Sequence, residues 1–188
     1  MFVSPAPSLW LTLAFSAVLC VSLLVRFWLA TRQIRHVALN RQTVPPAFSA
    51  EISLAAHQKA ADYTITKTRF GLLELALGSA VLLAWTLLGG LNALNQGLLE
   101  WLGGGMAQQL ALLAGFALIS GLIDLPLTLY QTFVIEHRFG FNKMTLRLWL
   151  ADLLKSTLMG LVIGLPIAAL ILWLMGSAGR YWWLWAWG

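Results

Sequence analysis

FGLLELALGSAVLLAWTLLGGL, residues 70–91, is the stretch that decides the fold. Its one ionisable side chain is Glu74, near the first turn. At 1.5 Å per residue, about 20 such residues cross the ~30 Å hydrocarbon core of a bilayer. Working outward, three more runs have the same character. Leu9–Leu29 is broken only by Arg26, Leu110–Tyr130 contains Asp124 and Pro126, and Leu153–Met175 contains Pro166. Proline is tolerated in such helices where neighbours satisfy the freed carbonyls. The closing residues RYWWLWAWG, 180–188, read as the beginning of a fifth span, so the chain is expected to be a truncated one. The expected fold is all-α: a polytopic membrane protein with four complete transmembrane helices, about 9–29, 70–91, 110–130 and 153–175. The start of a fifth falls near residue 181.

Composition agrees. Sixty per cent of the residues are apolar and 10% charged, and the mean hydropathy is +0.80. A soluble domain carries roughly 45–50% apolar and about 25% charged residues. So short and apolar a chain lacks the polar surface to cover a globule in water, and the bilayer is the fitting partner. The net charge of +5 does not indicate nucleic acid, because the charges sit between apolar runs. Cys20 lies inside a span and, as the single cysteine, forms no disulfide within the chain. Met1–Ser8 carries no basic side chain and the run after it is long, which argues against a cleaved signal peptide.

The charges also orient the chain. Arg32, Arg35, Arg41, Lys59, Lys67 and Arg69 lie between spans one and two, and Arg138, Lys143 and Arg147 between spans three and four, with Lys155 just beyond. Residues 92–109 have none. Lys/Arg excess marks the cytoplasmic side, so the expectation is an N-terminus outside and loops 31–69 and 131–152 in the cytoplasm. Trp10, Trp101 and the Trp182–Trp187 cluster would anchor the outer level, Trp28 and Trp149 the inner one. After Pro45-Pro46, the stretch from Phe48 to Arg69 has no further Pro or Gly and reads as a cytoplasmic helix running into span two. Thr145 can cap another helix, with Leu146, Trp149, Leu150, Leu153 and Leu154 at helical spacing.

No complete active site is visible. A zinc-peptidase helix needs H-E-x-x-H, which puts two imidazoles one turn apart beside a glutamate base. His36, His57 and His137 do not occur in that pattern, and neither a G-x-S-x-G motif nor a phosphate loop is present. Asp124 is the sharpest single residue, because ionisable groups within a span face a cavity or a partner. A plainer role, bonding backbone loosened by Pro126, weighs equally. Glu74 is shallower and is expected to snorkel or pair with Arg69. Gly160 and Gly164, with the weaker spacings Ala76–Ala80 and Ala117–Gly121, suggest close helix packing.

Several segments are distinctive together: Gln33–Val37, Val44-Pro45, His57–Thr64 and Asp124-Leu125-Pro126. With them stands Tyr130–Thr145, YQTFVIEHRFGFNKMT, followed by Asp152 and Lys155. In this order they resemble the N-terminal multi-helix region of the type I CAAX prenyl proteases and their bacterial relatives, from about Trp28 onward. The resemblance implies a membrane-embedded zinc metalloendopeptidase whose helices enclose a water-filled chamber. It further implies that residues 1–188 are its N-terminal transmembrane domain, without the catalytic zinc domain, and, through the bacterial relatives, that the expected location is a bacterial inner membrane.

On this resemblance no catalytic residue and no metal ligand can be placed in the chain. Zinc is expected only of a full-length member, and the chain should be inactive by itself. Asp124 and Glu74 become candidate chamber or structural residues. Glu136, Arg138, Asn142 and Lys143 become candidate contacts to the catalytic region of the same polypeptide or to a peptide or membrane-protein substrate. Turn and cap chemistry at Gly140, Asn142 and Thr145 explains much of the same loop. The competing expectation is a non-enzymatic membrane scaffold or partner subunit.

Overall fold

The computed structural model describes residues 7–177; the expected fifth span and the Trp182–Trp187 cluster lie outside the described residues. Within the described residues five α-helices carry the fold: α1 (Pro7–Leu39), α2 (Leu54–Thr86), α3 (Gly90–Leu102), α4 (Met106–Tyr130) and α5 (Leu146–Ser177). Among the described residues there is no strand. Among the described residues four helical runs are long and apolar enough to cross a membrane: Leu9–Leu39, Leu54–Thr86, Met106–Glu136 and Leu146–Ser177. α3 has 13 residues and a length of about 20 Å, too short to cross. Side chains such as Leu24 (70% exposed), Leu88 (81%) and Leu154 (71%) stand outward. A soluble protein would bury so extensive an apolar surface; lipid covers it here.

The helices overrun the apolar stretches that announce them. α2 begins at Leu54 with Ser53 as its cap, whose side chain accepts the Ala56 N–H at 3.2 Å. It then continues to Thr86, joining the expected cytoplasmic helix and the span without a break. Its start is later than the Pro45-Pro46 pair suggests, because Pro46–Phe48 forms only a short 3₁₀ turn. Its end is earlier than residue 91, because Gly89 adopts φ +83° and starts α3 as its cap. Residues 92–109, read from sequence as a connection, hold most of α3 instead. Leu91, Leu94, Leu98 and Leu102 recur there at helical spacing against Asn92, Asn95 and Gln96. The turn Gly103–Gly105 then has positive φ at Gly103 and Gly105.

The chain divides into two units, one of residues 1–88 with 126–142 and one of 89–125 with 143–188. In the first, α1 packs along α2, and α2 packs against the segment after α4. That segment, Gln131–Glu136, is a π-helix, whose wider turn shifts the following side chains round the axis. Buried Phe70, Ile135 and Phe139 form the core there, with Tyr63 and Leu127 packed on it. Phe70 stacks on Tyr130 at 5.3 Å between ring centroids, a geometry that contributes about 0.5–1.5 kcal/mol beyond area burial.

In the second unit, Gln108 is buried and donates to Asn95 Oδ1 at 2.6 Å, joining α3 to α4. A methyl group on Gly115 would meet Leu94 at 3.5 Å. The close packing expected of Gly160, Gly164, Ala117 and Gly121 is not what these residues make. They line an apolar groove of about 490 Å³ between α4 and α5. A methyl group added at Gly121, Gly160 or Gly164 would meet nothing within 4 Å. Small residues permit close approach, but lipid tails are as apolar as leucine, so no hydrophobic force closes such a gap.

Candidate functional site

Lys59, Tyr63, Lys67 and Phe70 recur on α2 at helical spacing and form a single stripe. The stripe holds the segment that follows α4. The Tyr63 hydroxyl donates to Glu136 Oε1 at 2.8 Å and accepts from Lys67 Nζ at 2.9 Å. Lys67 also reaches Glu136 Oε1 at 3.3 Å, an ion pair between a half-exposed lysine and a largely covered carboxylate. The Tyr63 ring stands edge-on to Phe139 at 5.3 Å and tilted over Phe141 at 4.8 Å. Lys59 Nζ lies 5.9 Å from the centre of the Phe141 ring. One tyrosine therefore binds both the carboxylate and the aromatic pair of the turn.

Backbone chemistry shapes the turn itself. Gly140 has φ +78°, a left-handed conformation that costs a side-chain-bearing residue about 1 kcal/mol. Its N–H donates to His137 O at 3.0 Å, and the Phe141 N–H donates to Glu136 O at 2.9 Å. Together these bonds make a Schellman termination of the preceding helix. The Asn142 N–H adds a bond to Glu136 O at 3.1 Å. Asn142 thus belongs to the end of one helix, while Thr145 caps the next. Leu148 N–H donates to Thr145 Oγ1 at 3.3 Å and Trp149 N–H to Thr145 O at 3.0 Å.

A second brace ties the α1–α2 connection to the same helix. Arg41 donates to both Asp62 oxygens at 2.7 Å, a bidentate pair with planar specificity. These hydrogen bonds, with the charge of Asp62, raise the Arg41 pKa above its ordinary value. Arg138 adds a further positive charge that acts on Asp62. Nearby, Gln58 donates to Gln42 Oε1 at 2.8 Å, and His57 Nε2 lies 3.0 Å from Asn40 O.

Of the residues singled out from sequence, Glu136 is at the centre of this cluster and Asn142 joins it through its backbone. Arg138 is exposed, with its guanidinium 5.8 Å from the Phe139 ring centre. Lys143 is exposed and belongs to the second unit. Asp124 stands exposed on α4, also in the second unit. The helical run continues to Glu136 rather than ending at residue 130, so Asp124 is further from that end than the sequence suggested. Glu74 is half-buried on α2. Its expected pairing with Arg69 does not form: the ion pairs among the described residues are Arg41–Asp62 and Lys67–Glu136. Five positions along a helix separate two side chains by about 140° round the axis.

Tyr63, Lys67, Lys59, Phe139 and Phe141 were not among the candidate site residues read from the sequence. The signal available for them was the four-residue spacing of Lys59, Tyr63 and Lys67. His36 and His57 line one cleft of about 570 Å³ with Asn40, Thr43 and Thr64, and His137 is exposed. Among the described residues no three His, Cys, Asp or Glu side chains converge.

An all-helical, polytopic membrane scaffold with one tightly knit polar and aromatic cluster is the class that this architecture defines. Residues 33–188 match the family described as CAAX prenyl protease N-terminal, five membrane helices, and the chain belongs to that family. The rice CAAX prenyl protease 1 homolog is 32% identical over 92% of this chain and 42% of its own length. The human homolog is 32% identical over 92% of this chain and 38% of its own. In solved structures, Ste24p of S. mikatae superposes with a TM-score of 0.83 at 27% identity, covering 93% of this chain and 42% of that one. The chain thus spans about two fifths of the length of these relatives. It is the N-terminal membrane domain of this protease family.

Proposed function

We propose that this domain forms one wall of an intramembrane chamber and a cytoplasmic platform for the catalytic region of a zinc metalloendopeptidase acting on prenylated CAAX-type substrates. The observation that carries this reading is the turn 136–142, fixed to α2 through Tyr63 and Lys67 while Arg138 and Phe141 (58% exposed) stay outward. A rigid turn that presents a cation and an aromatic ring offers the groups favoured at the centre of protein interfaces. Glu136 acts by holding the turn, and Arg138, Asn142 and Lys143 meet the catalytic region. The 188 residues contain no H-E-x-x-H, so a metal-activated water would have to be supplied by that region. By itself this chain neither binds zinc nor cleaves peptides. In this reading Asp124 lines the hydrated chamber and Glu74 is structural.

In the same reading loops 31–69 and 131–152 are cytoplasmic and the N-terminus is outside, which the Lys/Arg excess of the two loops supports. A bacterial inner membrane is part of the same reading and rests on the sequence resemblance.

The test uses the whole reading frame of the gene. It should encode an H-E-x-x-H helix within about a hundred residues after Gly188, and its product should cleave a prenylated CAAX peptide in a chelator-sensitive way. Asp124→Asn in that product should lower turnover while folded yield is kept. A frame without the motif, or a product inert on such peptides, would sink the reading; a loss of yield without loss of specific activity would make Asp124 structural.

A further inference from the structure

α1 is apolar for most of its length, then carries Arg26, Arg32 and Arg35 with no Asp or Glu anywhere in the helix. Its half-buried apolar positions Leu19, Leu23, Ala30, Ile34 and Val37 lie along one side, the side packed on α2. At 100° per residue, Trp28, Arg32 and Arg35 fall within about 60° of one another and face away from that side. Arg26 is more than 100° from Arg32 and lies toward the packed side. All three members of the stripe are exposed, Trp28 at 59%. The Arg32 guanidinium sits 5.4 Å from the centre of the Trp28 ring. No carboxylate neutralises the stripe, since the two ion pairs among the described residues engage Arg41 and Lys67.

We propose that Trp28, Arg32 and Arg35 form a binding site for the headgroup of an anionic phospholipid, with the acyl chains lying along Val21 and Leu24. The occupant is a lipid because the stripe is continuous with an exposed apolar face: Val21 is 60% exposed and Leu24 70%. Those residues lie on the same side of α1 as Trp28 by helical geometry. It is anionic because two arginines stand there with no carboxylate partner among the described residues, and the planar guanidinium matches a phosphate in two parallel hydrogen bonds. Tryptophan is suited to the headgroup level, and its ring holds Arg32 in place by a cation–π contact. A general role in orienting the chain would make every inner arginine equivalent. The site proposed here makes the face of the helix decisive. It does not depend on the peptidase reading.

The experiment reconstitutes the protein in vesicles of phosphatidylcholine with about one fifth phosphatidylglycerol, releases it into mild detergent, and quantifies the lipids that remain bound. A basic side chain near the surface contributes a preference of about fivefold for anionic lipid, so phosphatidylglycerol should be enriched severalfold on the parent protein. Arg32→Gln with Arg35→Gln should bring the ratio to that of the vesicles, Trp28→Leu should lower it about twofold to threefold, and Arg26→Gln should keep most of it. Circular dichroism confirms that each variant is folded; should the double variant fail, the single Arg35→Gln and Trp28→Leu variants carry the test. No enrichment on the parent, unchanged enrichment in the folded stripe variants, or an equal loss in Arg26→Gln overturns the proposal.

Discussion

Tyr63 shows how much one side chain can organise. Its hydroxyl sits between a cation and a carboxylate, and its ring touches both phenylalanines of the turn. Tyr63→Phe keeps the ring and removes the hydroxyl, so Lys67 and Glu136 retain only their 3.3 Å contact. Hydrogen bonds to charged groups contribute about 1.5–3 kcal/mol where they are shielded, and less where water competes. A loss of about 1–2 kcal/mol is therefore expected, seen as a lower thermal midpoint by circular dichroism in detergent. Tyr63→Ala should cost more, since it also removes the aromatic contacts. An unchanged midpoint in both variants would mean that the turn holds itself.

At the scale of the element, what organises the turn is a helix end. The π-helix 131–136 runs into a Schellman termination at Gly140. Gly140→Ala would put a methyl group 3.7 Å from Lys59 Nζ, an ordinary contact, so its cost is backbone strain alone. That is about 1 kcal/mol, read as faster hydrogen exchange at the amides of Phe141 and Asn142 with the exchange of α1 unchanged. The turn was legible in sequence because glycine advertises its φ. The π-helix was not, since no residue type in QTFVIE marks a widened turn. α3 was obscured for another reason. Its lack of basic residues resembles a loop in charge terms, and a 13-residue amphipathic helix is too short to stand out as a 20-residue apolar run. The small-residue spacings in α4 and α5 were visible, but spacing says only that helices can approach, and here a groove stands between them.

Across the whole molecule, span number and helical class followed from bilayer arithmetic, because a membrane admits few alternatives for 20 apolar residues. The polar cluster was much less legible, since it joins residues far apart in sequence, Tyr63 with Glu136 and Arg41 with Asp62. Orientation can be checked with single cysteines in a Cys20→Ser background. Gly104→Cys should react with a membrane-impermeant maleimide on intact cells, and Ser49→Cys only after permeabilisation. The opposite labelling would invert the topology without touching the fold. One consequence follows from α2, which runs unbroken from Leu54 to Thr86. Asp62, Tyr63 and Lys67 ride on the same rod as its lipid-facing half. When a thinner or thicker bilayer makes such a rod lean, the lean is transmitted along its full length of about 50 Å. Membrane thickness thereby becomes a mechanical input to the turn gripped at the rod's far end.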